Sequence, residues 1–409
     1  MVFRISSPTI SSDGEHSYYR ATVTNGDLFA QVEISVPQAF GDFLAPTCDP
    51  VVVAALLPAM RTGHDIEIEG PVSPHLLSAL QRALPVVLRG NMPYLKAVKV
   101  RHHGALYAPE QRGTAIATGF SGGIDSFCTL QDYYFEAHGD HERLTHLISN
   151  SFTRFRGLGE NERSVVRRLS AEIGLPLIEV NSNLDILSSP PWVARDIQPS
   201  QTHTLWNAAV ALALQGQVSR FYYSSGIAYP SLHYQADTDI TYTDPEILRL
   251  LTTDGIILSS VGCELSRVEK TRQVSLVEHS RNYLNVCVSP DRVGAQIRNC
   301  GTCKKCKRTL LTLDLTSGTE SYGTIFDLSA WRSVRPAYLR DVMVNTDPLS
   351  QELQALLAQS GEVLPLADRV RVRRIRSIQR LRRSLGRIAR ALLPRRLYDS
   401  LRRSGGKAI

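Results

Sequence analysis

The stretch that decides the fold is TAIATGFSGGIDSF, residues 114–127. Its first seven residues form a short apolar run, which predicts a buried strand, and FCTLQDYYFEA, which begins at Phe127, predicts a helix. The small residues between them lie where open α/β sheets bind ligands, at the carboxyl end of a strand. Backbone N–H groups in such a turn, and at the start of the next helix, attract anions. The stretch indicates either a tight turn or a phosphate-binding loop.

The side chains of this loop suit a phosphate ligand. Two glycines allow close approach of the backbone, and the hydroxyls of Ser121 and Ser126 can donate hydrogen bonds to phosphate oxygens. Asp125 would repel a bare phosphate, so we expect it to hold a bridging Mg²⁺. An ordinary turn, with Asp125 in the first turn of a helix, stays open. The loop has neither the Gly-Lys-Ser/Thr of the P-loop nor the third glycine of the dinucleotide fingerprint.

Outward from the loop, short apolar strands alternate with helices. Strands are predicted at LTHLIS, LPLIEVNS and RFYYSSG, and helices at ERSVVRRLSAEIG and THTLWNAAVALALQG. Apolar strands separated by helical crossovers are typical of a parallel sheet that is covered on both faces. Residues 113–310 are therefore predicted to form a doubly wound α/β domain.

The rest of the chain has a different pattern. Residues 1–112 contain alternating strands such as YYRATVTN, LFAQVEISV, DIEIEG and LKAVKVRHH, and a helix that starts after Ser73 with Pro74 at its first position. They predict a small α+β domain without a catalytic motif, and the adjacent His102 and His103 are poor partners for one metal. Residues 311–367 are mixed, and residues 368–409 form a basic tail.

Composition favours a cytoplasmic protein of several domains. The 409 residues are 43% hydrophobic, and the longest apolar runs, VVVAALLPAM and NAAVALAL, are shorter than the roughly 20 residues of a membrane span. The N-terminal residues lack the apolar block of a secretory signal. The net charge is +7, but the tail from Arg369 carries about +14, so residues 1–368 carry about −7.

Four of the seven cysteines have the spacing of a metal site. Cys300, Cys303 and Cys306 are each two residues apart, and Cys287 lies upstream. Four thiolates at this spacing predict a structural Zn²⁺ site, for which Gly301 permits the turn. An iron–sulfur cluster remains an alternative, although the cysteine followed by proline that is typical of ferredoxins is missing. A disulfide does not suit a reducing cytosol.

SGGIDS resembles, residue for residue, the Ser-Gly-Gly-x-Asp-Ser loop of the PP-loop ATP pyrophosphatase superfamily. Combined with the Cys-Gly-x-Cys-x-x-Cys cluster, it is similar to the 7-cyano-7-deazaguanine synthase family. The resemblance covers about residues 113–310 and implies an adenine nucleotide alpha hydrolase-like fold. It also implies a reaction that splits ATP into AMP and pyrophosphate, adenylating a carboxylate that ammonia then attacks.

The resemblance assigns roles to particular residues. It implies that ATP is held by Ser121, Gly122, Gly123, Ile124, Asp125 and Ser126, and Zn²⁺ by Cys287, Cys300, Cys303 and Cys306. Asp125 and Lys270, which lies in LSRVEKTRQV, would be catalytic, and Asn207 lies on a helix that looks like one of the family's. The chain departs from the family after Tyr229 and Pro230, where the family's Asp-Cys-Arg is missing. The added N-terminal domain and C-terminal extension are further departures, so the acceptor is expected to differ.

Other polar residues are weaker candidates. Asp237 and Asp239 could bind a second metal or orient an amine, although a polar loop is the more common reason for such a pair. Arg195 and Asp196 lie in a long proline-rich connection of the kind that covers a site. The remaining candidates are His203 and His233 for proton transfer and Cys128 as a reactive thiol, each of which is more often a structural residue.

The tail predicts a basic amphipathic helix. Ile375, Ile378, Leu381, Leu385, Ile388 and Leu392 recur at steps of three and four, and Pro394 is expected to break the helix. Its partner could be nucleic acid, an anionic membrane surface or an acidic protein, and packing on the acidic body of the chain is an alternative. Self-association into a homo-oligomer also stays open.

The leading hypothesis is an ATP-dependent, AMP-forming ligase that makes a C–N bond on a carboxylate or base oxygen. A tRNA or sulfur modification enzyme with the same loop is a second hypothesis, and it predicts a redox-active metal centre. The third is a scaffold or nucleic-acid-binding protein of a defence system that has lost catalysis. It predicts salt-sensitive binding of nucleic acid without consumption of ATP.

Overall fold

The computed structural model describes residues 1–153, 160–237, 239–288 and 298–392. The strands in these ranges are β1 (Val2–Ile5), β2 (Thr9–Ser12), β3 (His16–Asn25), β4 (Leu28–Pro37), β5 (Asp65–Ile68), β6 (Val100–His102), β7 (Ala115–Gly119), β8 (His146–Phe152), β9 (Leu177–Ser182), β10 (Val218–Ser224) and β11 (Ile257–Val261).

The helices are α1 (Asp49–Thr62), α2 (Pro74–Gln81), α3 (Ala83–Asn91), α4 (Ile124–Leu130), α5 (Glu160–Ile173), α6 (Pro199–Ala213), α7 (Asp244–Leu251), α8 (Arg267–Leu276), α9 (Ser280–Tyr283), α10 (Lys304–Asp314), α11 (Leu328–Val344), α12 (Pro348–Ser360) and α13 (Leu366–Leu392). In the described part of the chain, no helix is both long enough and apolar enough to cross a membrane.

The strands form one mostly parallel sheet. Its order is β11-β10-β7-β8-β9-β4-β3-β1-β5-β6, with β2 paired to β3. The five strands from β11 to β9 are all parallel, which confirms the predicted α/β architecture. The chain builds outward from β7 to β8 and β9, and then returns to the other side of β7 with β10 and β11. The strand order therefore reverses at β7, and such a switch point opens a crevice at the carboxyl ends of the strands.

Both faces of this sheet are packed. Ala115 and Ala117 of β7 belong to one hydrophobic core, and Ile116 between them belongs to another. The first core includes apolar residues of α1, α6 and α7. The second includes those of α4, α5, α8, α10, α11 and α12. Since side chains alternate across a strand, helices cover the sheet on both sides.

The N-terminal strands continue the same sheet across residue 112. β4 pairs antiparallel with β9 through Ile34 and Ser182. Asn183 extends this pairing, because its side chain accepts a hydrogen bond from Glu33 N at 2.7 Å and donates one to the carbonyl of Gln31 at 2.9 Å. Residues 1–112 thus share one sheet and one core with the α/β part.

The C-terminal part is helical and packs on the second core. Arg335 of α11 contacts the carboxylates of Asp314 and Glu362, which ties α11 to the end of α10 and to the segment after α12. The tail begins as the predicted helix, α13, which contacts α11 and carries the buried Val372. Leu385, Ile388 and Leu392 belong to the apolar stripe that we expect from the sequence, but their side chains, and Pro394, lie outside the described part.

Candidate functional site

The loop SGGIDS joins the end of β7 to α4 and is held from two sides. Phe120 N donates to the carbonyl of Ile148 on β8 at 2.9 Å, and Asn285 N donates to the carbonyl of Gly122 at 2.7 Å. The hydroxyl of Ser126 donates to the carbonyl of Gly123 at 3.0 Å. The loop is thereby attached both to the neighbouring strand and to the segment that leads to Cys287.

Gly122 is the glycine whose conformation the loop requires. It has φ +74°, in the region that residues with a side chain rarely adopt. A Cβ at this position would lie 3.2 Å from the carbonyl oxygen of Tyr283 and 3.3 Å from Cβ of Asn285. Gly123 has an ordinary φ of −78°, so only one of the two glycines is required by backbone geometry.

Asp125 lies between two cations. Its Oδ2 is 2.8 Å from a guanidinium nitrogen of Arg267, and its Oδ1 is 3.4 Å from Nζ of Lys270. Lys270 is only 2% exposed and donates to the carbonyl of Ser225 at 2.6 Å. Gly262, with φ +75°, makes room for it, since a Cβ there would lie 3.3 Å from Nζ. With both oxygens occupied, Asp125 fits a Mg²⁺ ion only after one of these cations moves away.

A first cavity, of about 360 Å³, opens beyond the carboxyl ends of β7, β8 and β10. This volume lies in the range of small-molecule sites. Its lining is uncharged except for Asp125 and consists of Gly119, Phe120, Ser121, Asp125, Ser126, Ile148, Asn150, Phe152, Asn207, Phe221, Tyr223 and Ser224. The cavity therefore combines apolar rings with hydroxyl and amide groups, as small-molecule pockets do.

A second cavity, of about 230 Å³, lies on the other side of the loop. Ser121, Asp125 and Ser126 line both cavities. The charged residues that line the second cavity are Asp125, Arg267, Lys305 and Arg308, so cations outnumber acids by three to one. The loop thus separates the two; we call the first, whose one charged residue is the shared Asp125, the uncharged cavity, and the second the cationic cavity.

Hydrogen bonds connect side chains in the wall of the first cavity to side chains behind it. Asn150 donates to Oδ1 of Asn207 at 2.8 Å. The hydroxyl of Tyr223 is 2.8 Å from Nδ1 of His203, whose Nε2 lies 3.2 Å from the hydroxyl of Thr241 and 3.5 Å from Asp239. His203 and Asp239, which the sequence leaves as separate weak candidates, are thereby brought together behind a cavity wall.

A buried acid completes this network. Asp244, at the start of α7, is fully buried and accepts a hydrogen bond from the hydroxyl of Thr204 at 2.6 Å. Burial raises the pKa of Asp244 to about 7, although the charge of His203 opposes this shift. The network therefore contains an acid that can gain or lose a proton near neutral pH.

The four predicted metal ligands lie together. The sulfur atoms of Cys287, Cys300, Cys303 and Cys306 are all within 4.8 Å of one another. Four thiolates about 2.3 Å from a tetrahedral Zn²⁺ need a similar spacing, so this donor set fits the ion. Burial acts to raise the pKa of Cys300, but hydrogen bonds from Thr302 and Cys303 outweigh it and lower this pKa to about 6. A lowered pKa favours the thiolate that binds metal.

Two residues outside the cysteines hold this cluster in shape. A Cβ at Gly301 would lie 2.3 Å from the carbonyl oxygen of Asp327, and its φ is +71°. The fully buried Asn299 accepts hydrogen bonds from Val286 N at 2.8 Å and Cys287 N at 3.1 Å. Its amide nitrogen donates to the carbonyls of Leu284 and Ile325. Asn299 thus joins the segment that carries Cys287 to the segment that carries the other three ligands.

The remaining sequence candidates lie elsewhere. Asp237 lies 3.6 Å from His233, whose ring stacks on Tyr242. Asp237 and Asp239 thus contact different histidines, and in the described ranges only the cysteines form a group of three or more potential ligands. Exposed Arg195 and Asp196 line neither cavity. Cys128 is buried, which raises the pKa of its thiol and disfavours a reactive role.

Sequence reasoning missed three residues of the cationic cavity. Arg267 lies one turn before Lys270 on α8 and contacts Asp125 directly. Lys305 and Arg308, beside the cysteines on α10, also line the cavity. Their positions within CGTCKKCKR place them one helical turn apart, which is the one signal that the sequence offered.

Comparisons with family models, with curated proteins and with solved structures found no match for this chain.

Proposed function

We propose that the chain is an ATP-dependent enzyme that releases AMP and pyrophosphate, with an adenine nucleotide alpha hydrolase-like fold. It is similar in reaction type to 7-cyano-7-deazaguanine synthase. The acceptor is a carboxylate or base oxygen, and ammonia or another amine displaces AMP from the adenylated acceptor. Both the ATP pyrophosphatase activity and the acceptor class are carried over from the resemblance of SGGIDS and the cysteine cluster.

One structural observation carries the proposal: the uncharged and the cationic cavity meet at Asp125 and Ser126. The nucleoside and the acceptor fit the uncharged cavity, at the switch point of the sheet. The two terminal phosphates fit the cationic cavity, because Arg267, Lys305 and Arg308 line it. The bond between the α and β phosphates then lies at the loop, which is the bond that an AMP-forming enzyme breaks.

The residues at the loop can stabilise charge on the leaving group. The acceptor oxygen attacks the α phosphorus, the bond to the β phosphate oxygen breaks, and its electron pair leaves with pyrophosphate. Arg267 and Lys270 neutralise Asp125 in the free protein, and Arg267, which lines the cationic cavity, can turn to the phosphates as this negative charge develops. In the second step the amine forms a bond to carbon and AMP leaves.

The metal at the cysteines has a structural role in this proposal. Four protein ligands leave no open position on Zn²⁺, so the ion supplies folding energy and no reaction step.

The test is a product analysis that starts from purified full-length protein. ATP is incubated with ammonium and a panel of carboxylated bases, and the nucleotides are separated by chromatography. We expect AMP and pyrophosphate in equal amounts, and a loss of at least about 100-fold in Asp125→Asn, the size of effect seen when one electrostatic group of an active site is removed. ADP and phosphate as products would contradict the proposal, as would full activity of Asp125→Asn.

A further inference from the structure

We propose that the metal bound by the four cysteines sets the affinity of the cationic cavity for pyrophosphate. The inference takes its ligand from the proposed function. The observation behind it is that α10 carries both groups of residues. Cys303 directly precedes α10 and Cys306 lies in its first turn, while Lys305 and Arg308 of the same helix line the cavity.

The segment that carries Cys287 forms another part of the wall of this cavity. Asn285, Val286, Cys287 and Val288 line it, so a metal ligand is itself part of the wall. The same segment is bonded to the phosphate loop, because Asn285 N donates to the carbonyl of Gly122 at 2.7 Å. A metal that joins Cys287 to Cys303 and Cys306 therefore holds the loop side and the cation side of the cavity at a fixed separation.

The metal has two opposite effects on the affinity for pyrophosphate, one through its charge and one through the positions of the cavity cations. A Zn²⁺ ion with four thiolates has a net charge of −2, which disfavours a polyphosphate nearby. Lys305 and Arg308, which line the cavity, offset this charge. What the metal adds is preorganisation, since Lys305 and Arg308 need not be ordered when the ligand binds. We therefore expect bound zinc to strengthen the binding of pyrophosphate.

The size and charge of the cavity indicate a small polyanion. Its volume of about 230 Å³ is smaller than that of the first cavity, and three cations face one acid. Two linked phosphates match three cations better than a single phosphate does, because each can accept charge-assisted hydrogen bonds from guanidinium and ammonium groups.

The test measures pyrophosphate binding by calorimetry on zinc-loaded and zinc-depleted full-length protein. We expect removal of zinc to weaken binding at least about tenfold, within the usual range of coupling between sites. Lys305→Met and Arg308→Met should weaken binding and keep zinc, whereas Lys304→Met, the matched control on the same helix, should bind like wild type. Equal affinity with and without zinc would overturn the inference, and so would wild-type binding by both cavity variants.

Linkage gives a second measurement, which does not require a folded zinc-free protein. Pyrophosphate must raise the zinc affinity by the same factor, measured by competition with a chromophoric chelator. Free pyrophosphate also binds zinc in solution. The same titration of the Lys305→Met/Arg308→Met double variant measures this loss of zinc, which is then subtracted. With Co²⁺ in place of zinc, pyrophosphate should shift the visible absorption bands of the wild type and leave those of the double variant unchanged. An unchanged wild-type spectrum together with an unchanged zinc affinity would refute the coupling.

The results separate this inference from the proposed function. Zinc-dependent binding of pyrophosphate by a protein that never cleaves ATP to AMP would support the coupling and contradict the enzyme. Cleavage of ATP to AMP by a protein whose pyrophosphate affinity does not change with zinc would support the enzyme and contradict the coupling.

Discussion

At the scale of single residues, Gly122 offers a direct test of the proposal that the loop SGGIDS binds phosphate. We expect Gly122→Ala to weaken binding of α,β-methylene-ATP and to lower the free energy of unfolding, because its φ is positive and Tyr283 and Asn285 leave little room. Gly174→Ala is the matched control, since Gly174 has φ +69° but no atom within 4 Å of a Cβ. Gly174→Ala should lower the free energy of unfolding by about 1 kcal/mol, from backbone strain alone. Equal effects of the two variants on stability and binding would show that close packing at Gly122 is unimportant.

Asp244 gives a prediction about pH. Burial raises its pKa from 3.8 to about 7, so the folded state favours the protonated carboxyl. The stabilisation is complete below about pH 4 and is lost as the pH rises through about 7. Relative to Asp244→Asn, the wild type should lose up to about 4 kcal/mol of unfolding free energy over this interval. The check is urea denaturation of both proteins between pH 4 and 9; parallel curves would contradict the raised pKa.

At the scale of elements, Asn299 should determine how firmly the cysteine segments hold metal. Asn299→Ala removes four hydrogen bonds in a fully buried position and leaves backbone groups of Val286 and Cys287 unpaired, each at a cost of about 1–3 kcal/mol. We expect faster zinc loss to a chelator and a lower melting temperature. Asn282→Ala, at an exposed position on α9, is the control and should behave like wild type. Zinc retention equal to that of wild type would show that the cysteines alone shape the site.

The basic helix α13 presents two different faces. Val372 is 4% exposed, and Arg376 donates to the carbonyl of Met343 at 2.6 Å, so this face lies on the body of the protein. Ile378 and Leu381 are 43% and 61% exposed, which leaves an apolar edge among arginines. We expect the full-length protein to bind vesicles that contain phosphatidylglycerol, as basic amphipathic helices do. Sedimentation should show weaker vesicle binding for Leu381→Ser but not for Asn282→Ala. If the protein binds no vesicles, and binds RNA equally well with and without Leu381→Ser, the partner of the helix is nucleic acid and the prediction is wrong.

At the scale of the whole molecule, a feature could be predicted from the sequence where a short stretch of residues specifies it. β3, β4 and the loop after β7 have local periodicity or turn residues, and all were predictable. α1 was not, because every residue from Asp49 to Met60 is buried and the helix has no polar face. The cavity role of Arg267 was also hidden, since it arises only when α8 meets Asp125 in the fold.

The union of residues 1–112 with the α/β part is the least local feature of the molecule, and it leads to a prediction about unfolding. The first core contains Trp192, whose ring centroid lies 5.7 Å from that of Phe3, and the second core contains Trp331. Because one sheet joins both cores, the tryptophan fluorescence and the far-ultraviolet circular dichroism of each variant, one keeping only Trp192 and one keeping only Trp331, should give the same urea midpoint when zinc is saturating. Asn183→Ala removes side-chain bonds to Gln31 and Glu33 at the joining strands and should lower both midpoints together. Two separate transitions would instead identify residues 1–112 as an independent domain, because the pairing of β4 with β9 would then add too little free energy to couple the cores.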